Sequence, residues 1–188
     1  MKAAVLQSNY IPWKGYFDII HDVDMFVFYD EVQYTVGDWR NRNRIQTVGG
    51  PKWLTVPCGY DIKRKIDEVK IKNELPWQQK HYRSISESYA RAPFFQKYRE
   101  LLEYVYLECR WEFLYQLNRY LIQTISKELL NLGAEFRDSR EFASHGEKDE
   151  KLLSLLQSIG CGIYVSGPAA KNYMDTSKYS DCGIDVRW

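Results

Sequence analysis

The first thirty residues constrain the fold more than any later stretch. Lys2 to Gln7 reads as a short buried strand, and the turn-rich S-N-Y-I-P-W follows it. K-G-Y-F-D-I-I-H-D then sets Tyr16, Ile19 and Ile20 on one face of a helix. M-F-V-F-Y, Met25 to Tyr29, is dense in aromatic and β-branched residues and forms a second strand ending at Asp30. Strand, helix and strand in so short a span imply a parallel pair closed by a helical crossover. In such sheets ligands bind beyond the carboxyl ends of the strands, which points to Gln7–Trp13 and Asp30–Gln33.

Short β-like pieces come next: E-V-Q-Y-T, R-N-R-I-Q-T and, after G-G-P, K-W-L-T-V-P-C. I-D-E-V-K-I alternates cleanly and reads as a further strand. From Pro76 three helices follow in succession, separated by the pre-proline Ala92 and a turn near Cys109, with Gly133 as the closing C′ glycine. Glu135–Asp138 reads as a strand, Lys148–Ile159 as a helix, and I-Y-V-S-G and G-I-D-V-R-W as the last strands. The expectation is an α/β fold: a Rossmann-like, mostly parallel sheet with flanking helices, a small antiparallel insertion at about 31–58 and a helical stretch at about 76–132. A length of 188 residues suits one core, so a single domain over 1–188 is expected.

Charge narrows the function. With 26 basic and 25 acidic residues there is no field to hold a polyanion, which argues against a nucleic-acid binder. M-K-A-A-V-L-Q-S-N lacks the apolar core of a signal peptide, and no apolar run is long enough to span a bilayer. A cytoplasmic protein without membrane insertion is expected. The four cysteines are dispersed without a C-x-x-C pair and His21, His81 and His145 share no ligand spacing, so no metal site is expected. Cys58 reads as a core thiol. Fifteen tyrosines and six tryptophans suit the handling of rings or sugars and equally suit a core.

D-W-R-N-R-N-R-I, Asp38 to Ile45, is the densest polar constellation. In a strand, Arg40, Arg42 and Arg44 share one face and Asn41 and Asn43 the other. The run is either a charged edge that resists aggregation or a clamp for phosphate or carboxylate, with the asparagines fixing the loop. His81 is the most plausible general base of the three histidines, because imidazole titrates near neutral pH. S-G-P-A-A-K-N-Y-M-D, Ser166 to Asp175, follows a strand; it lets a ligand approach the backbone and offers Lys171 to an anion, or is an ordinary turn. Neither a P-loop nor the Rossmann triple-glycine pattern is present. The loop S-H-G-E-K-D-E is either a lid or a helix start.

L-Q-S-N-Y-I-P-W-K-G-Y-F, D-E-V-Q-Y, W-R-N-R-N-R-I, W-L-T-V-P, W-Q-Q-K-H and Y-V-S-G-P-A-A-K-N-Y-M-D occur in order along the chain. Together they resemble the WbqC-like family, bacterial proteins typically encoded among genes for surface polysaccharide (O-antigen, lipopolysaccharide) assembly. Ser8 stands where that family usually has proline. The family also usually continues past G-I-D-V-R-W, so a short or truncated form is expected. The resemblance implies an enzyme passing an acyl or aminoacyl group to a nucleotide-linked amino sugar. The donor stays open; a coenzyme A thioester or an acyl carrier protein would suit. The matching motifs mark Gln7, Asn9, Tyr10, Trp13, Asp30, Gln33, Trp39, Asn41, Arg42, Asn43, His81, Ser166, Gly167, Lys171 and Tyr173, with Pro12, Gly15 and Pro168 reading as shape. In the mechanism this implies, His81 is the base, Asp30 or Asp38 orients it, and Arg40, Arg42 and Lys171 hold a pyrophosphate. Tyr10, Trp13 and Trp39 offer flat faces to a base or sugar. Two other readings stay open: a nucleotidyltransferase-like enzyme using ATP, and a non-catalytic partner of the assembly machinery.

Overall fold

The computed structural model describes residues 1–188 except Tyr173. Two compact units emerge: the first holds Met1–Ser8, Pro12–Val32 and Ile122–Trp188, the second Asn9–Ile11 and Gln33–Leu121.

The first unit is built on a five-stranded sheet of β1 (Lys2–Leu6), β2 (Met25–Phe28), β5 (Glu135–Asp138), β6 (Ile163–Val165) and β7 (Asp185–Arg187), where β3 and β4 belong to the second unit. The order is β5-β2-β1-β6-β7 and every pairing is parallel, with Ala3 opposite Met25 and Tyr164, and Met25 opposite Glu135. A parallel sheet must be covered on both faces, and the sequence of the central strands supplies two apolar sets. Ala3, Val5, Met25, Val27 and Tyr164 pack against Leu155 and Leu156 of α5 (Lys148–Ser158) and Tyr179 of α6 (Thr176–Asp181). Ala4, Phe26, Phe28 and Val165 pack against Tyr16 and Ile20 of α1 (Lys14–His21) and against Ile122. Phe26, Phe28 and Phe136 form a ring cluster with centroids 5.3–5.6 Å apart.

The second unit carries the antiparallel hairpin of β3 (Arg42–Thr47) and β4 (Gly50–Thr55), in which Arg42 faces Thr55 and Arg44 faces Trp53. Its helices are α2 (Trp77–Tyr89) and α3 (Phe95–Glu103), which runs on into a π-helical turn at Tyr104–Glu108. α4 (Leu114–Thr124) starts in this unit; from Ile122 the chain belongs to the first, including a second π-helical turn at Ile125–Leu129. Tyr10, Tyr34, Ile66, Val69, Trp77, Val105, Tyr106, Leu114 and Leu117 are buried.

Three local expectations change. E-V-Q-Y-T forms no strand; Gln33 makes one isolated bridge to Lys65. I-D-E-V-K-I is a 3-10 turn at Ile66–Glu68 followed by a single bridge from Lys70 to Phe113. Its apolar positions, spaced three and two apart rather than strictly alternating, have another cause: Ile66, Val69 and Ile71 anchor an irregular segment in the core. The left-handed residue after α4 and its π turn is Asn131, with φ 53°, rather than Gly133. Asparagine tolerates that conformation, and the Leu132 amide then bonds the Ser126 carbonyl at 2.8 Å.

Phe26 is fully buried between three other rings. Phe26→Ala is expected to cost about 3–5 kcal/mol in a urea titration; a loss below about 1 kcal/mol would show that this face can collapse into the gap.

Candidate functional site

The strand order runs outward from β1, to β2 and β5 on one side and to β6 and β7 on the other. The crossovers therefore diverge between β1 and β6, and a crevice opens at their carboxyl ends. A cavity of about 540 Å³ occupies it, lined by Leu6 at the end of β1 and Gln7 after it, Tyr29 after β2, Ser166, Gly167 and Ala170 after β6, and Lys148 and Asp149 at the start of α5.

Local bonds fix these walls. The buried Asp30 carboxylate accepts the Ser8 amide hydrogen at 2.8 Å and ties the end of β2 to the end of β1. The Gln7 carbonyl accepts the Tyr16 hydroxyl at 2.9 Å, and the Ser166 amide bonds the Arg187 carbonyl at 2.9 Å. Lys148 holds φ at 51°, a left-handed conformation in which a side chain other than glycine is strained. Asp149 accepts a hydrogen bond from Tyr179. Burial, and then the negative Glu31, push the Tyr29 hydroxyl above its ordinary value, and Lys151 bridges Glu31 at 3.0 Å. A shallower cavity of about 350 Å³ in the same unit is lined by Trp13, Gly15, Ser166, Pro168 and Trp188. The Trp13 indole lies where a Cβ on Gly15 would sit, and the Lys171 ammonium is 5.7 Å from the Trp188 ring centre.

In the second unit the arginine run divides. Arg40 lies in the turn before β3 and bonds the Asn9 side chain, so it is not part of a three-arginine face. Arg42 and Arg44 do share a face of the hairpin, their guanidinium carbons 4.4 and 5.2 Å from the Trp53 ring centre, and Trp53 in turn meets Trp39 at 5.7 Å. Attraction to one aromatic ring offsets part of the repulsion between the two like charges. Asn43, on the other face, bonds the Tyr10 and Ile11 carbonyls, and Asn41 donates to the Val56 carbonyl at 2.9 Å. Burial would raise the Asp38 carboxyl, but hydrogen bonds from Thr35 and the Trp39 amide, with Arg40 and Arg42 nearby, bring it below the ordinary range. Gln33 bonds the Ile62 carbonyl at 3.1 Å.

His81 belongs to a buried relay in this unit. Its Nδ1 lies 2.9 Å from the Tyr10 hydroxyl, which lies 2.5 Å from the Tyr106 hydroxyl. Tyr10, Tyr106 and His81 are 0, 1 and 5% exposed. Burial pushes the imidazole down to about 4, against a hydrogen bond to the Thr55 backbone that favours the charged form and with Lys52 disfavouring it. A bond that favours imidazolium must run from the ring N–H to the Thr55 carbonyl. Nδ1 then accepts from Tyr10, and Tyr10 accepts from Tyr106, because each hydroxyl has one proton. Cys58 is likewise enclosed, its thiol pushed up to about 12 by burial.

The profile of the WbqC-like protein family matches residues 7–188. The chain belongs to that family. It is also 39% identical over 189 residues to the uncharacterized protein Rv1507c of Mycobacterium tuberculosis (strain ATCC 25618 / H37Rv), across all of this chain and 81% of that protein. No solved structure matches.

This WbqC-like chain thus gathers Gln7, Ser166 and Gly167 at the crevice of the first unit, with Trp13 at the shallower cavity beside Ser166. Asn9, Tyr10, Trp39, Arg40, Asn41, Arg42, Asn43 and His81 fall in the second unit, and Tyr173 lies outside the described residues. Sequence reasoning missed Tyr29, Lys148 and Asp149 as wall residues. The polar loop S-H-G-E-K-D-E was the available signal for the last two, since a helix start after β5 brings its first turn to the carboxyl end of the sheet. No helix among the described residues is long and apolar enough to cross a membrane.

His81 gives a stability signature. Its folded value of about 4 lies below the unfolded 6.5, so between these values the unfolded chain takes up a proton that the native chain refuses. Stability from this group is full above pH 6.5, falls as the pH drops towards 4 and levels off below, a loss of about 3 kcal/mol. His81→Gln keeps an acceptor and a donor and is expected to flatten that window in urea titrations at stepped pH. Parallel profiles for the two proteins would remove His81 as the cause.

Proposed function

We propose that this WbqC-like chain binds a nucleotide-linked amino sugar in the crevice between β1 and β6 and transfers an acyl or aminoacyl group to its amine. The observation that carries the reading is the 540 Å³ cavity at the reversal of strand order, a size and position typical of small-molecule sites in α/β sheets. The wall suits such a ligand: Lys148 offers a cation to phosphate, Gln7 and Ser166 offer hydrogen bonds, and Gly167 and Ala170 let it approach the backbone. The family-level link to surface polysaccharide assembly supports the same substrate class.

For the chemistry, the sugar amine attacks the carbonyl of a thioester. The new C–N bond forms as the C–S bond breaks, and the amine proton must leave for the thiolate to depart as a thiol. Asp149 is the carboxylate of the cavity wall and receives a hydrogen bond from Tyr179, which leaves its second oxygen to take and return that proton. His81, enclosed in the second unit and held neutral by burial, is not the base in this scheme.

The test mixes the protein with UDP-glucosamine and acetyl-coenzyme A and follows thiol release, alongside binding of UDP-glucosamine, ATP and coenzyme A by thermal shift. UDP-glucosamine is expected to raise the melting temperature. Asp149→Asn is expected to keep that shift and lose about 10²–10⁴-fold in turnover. A shift with ATP alone, accompanied by pyrophosphate release, would replace this reading with nucleotidyl transfer; full activity in Asp149→Asn would remove it as the base.

A further inference from the structure

The second unit contains a cavity of its own, about 350 Å³, that the proposed transfer does not use. It is lined by Val36 and Gly37 before the hairpin, Asn41 just before β3 and Arg42 at its start, Thr55 at the end of β4 and residues 56–60 after it, and Lys72 and Leu75. Two observations make it more than a surface dent.

Its polar wall is incompletely satisfied. Asn41 is 6% exposed, and its amide is oriented by the bond from Nδ2 to the Val56 carbonyl, which turns Oδ1 into the remaining acceptor; that oxygen is buried and has no partner. The Nε of Arg42 is likewise buried without a partner. Buried polar atoms are nearly always paired, and each one left alone costs about 1–3 kcal/mol. Asn41 and Arg42 both line this one cavity, so a group entering it meets the two neighbours whose buried acceptor and donor lack partners.

Its charge is also one-sided. Arg42 and Lys72 line the cavity as cations, and no carboxylate is among its lining residues. The guanidinium of Arg42 is held by stacking on Trp53 and has room beside it because Gly37, at φ 73°, carries no side chain. Asp38 acts on Arg42 from the preceding turn, and Arg64 is engaged by the Cys58 carbonyl at 2.8 Å, so Lys72 and Arg42 are the cations left to a ligand. Val36, Val56, Pro57, Tyr60 and Leu75 give apolar walls.

We propose that this cavity binds a small organic oxyanion of monosaccharide or amino-acid size, a carboxylate or a phosphate monoester, that also carries a hydroxyl or amine. The anionic oxygens bond Arg42 and Lys72, the hydroxyl or amine donates to Asn41 Oδ1, and the apolar walls cover the carbon body. The site is independent of the crevice between β1 and β6 and stands or falls without it.

Isothermal titration of the full chain with glucose 1-phosphate, lactate, alanine and inorganic phosphate tests it and separates the phosphate source from the carboxylate source. At least one organic probe is expected to bind at sub-millimolar concentration, and Arg42→Met and Lys72→Met are each expected to weaken it by at least about tenfold. Arg42→Met keeps an apolar stem over Trp53, and Lys72 is exposed, so the second variant reads out binding even where the first unfolds. The proposal is overturned if no organic probe binds, if binding survives Lys72→Met unchanged, or if inorganic phosphate binds as tightly as the best organic probe.

Discussion

Parallel strands pair only when the chain returns over a face of the sheet, and that requirement shapes the first unit. Each return lays a helix or an ordered loop on one face, so both faces must be apolar, and consecutive residues of β1 and β2 serve opposite cores. The order β5-β2-β1-β6-β7 reverses at β1, and the reversal sends neighbouring chain exits in opposite directions. The crevice is a by-product of this connectivity. What turns it into a walled cavity is local: the bond from the Ser8 amide to the Asp30 carboxylate and the first turn of α5. A carboxylate 1% exposed is costly unless hydrogen-bonded, so Asp30 is better suited to holding two strand ends together than to moving protons.

The second unit shows how environment overrides residue type. Histidine titrates near neutral pH in water, and that property made His81 the natural base. Enclosed against Trp77, Tyr10 and Tyr106, it is held neutral and becomes a hydrogen-bond junction. The arginines follow the same logic. Like charges two residues apart in a strand repel, but Trp53 attracts both guanidiniums and offsets part of that repulsion.

Period and composition made the sheet legible. The apolar runs of β1 and β2, the strand Glu135–Asp138 and the helix from Lys148 could be placed because burial leaves a pattern in the chain. The rule for ligands at carboxyl ends pointed to Gln7–Trp13 and Asp30–Gln33, of which Gln7 lines the cavity, and the small-residue loop after a strand pointed to Ser166 and Gly167, which line it too. Irregular structure was harder to read. Ile66, Val69 and Ile71 are spaced three and two apart because three side chains reach a core through an irregular segment, a pattern easily taken for a strand. Lys148 and Asp149 were hidden because a helix start is polar whether or not it faces a ligand. Whether the histidine was buried depended on contacts with Tyr10 and Tyr106, 71 and 25 residues away, which no local pattern records.

The motifs N-Y-I-P and W-R-N-R-N-R gain a common explanation from their mutual bonds. Tyr10 is pinned at its amide by the Trp39 carbonyl at 3.0 Å, at its hydroxyl by His81 and Tyr106, and at its carbonyl by Asn43. The next residue, Ile11, sits at φ 45°, a conformation that costs a β-branched residue about 1–3 kcal/mol and persists only where surroundings impose it. Asn43 imposes it by bonding the Ile11 carbonyl, and Arg40 adds a tie to Asn9. Tyr10, Trp39, Arg40 and Asn43 therefore hold one another, and their place in the motifs is accounted for by architecture. Asn41 and Arg42 differ from them, since each completes a structural contact, keeps a buried polar atom without a partner and lines the same cavity. Within D-W-R-N-R-N-R-I, the case for ligand recognition narrows to these two neighbours.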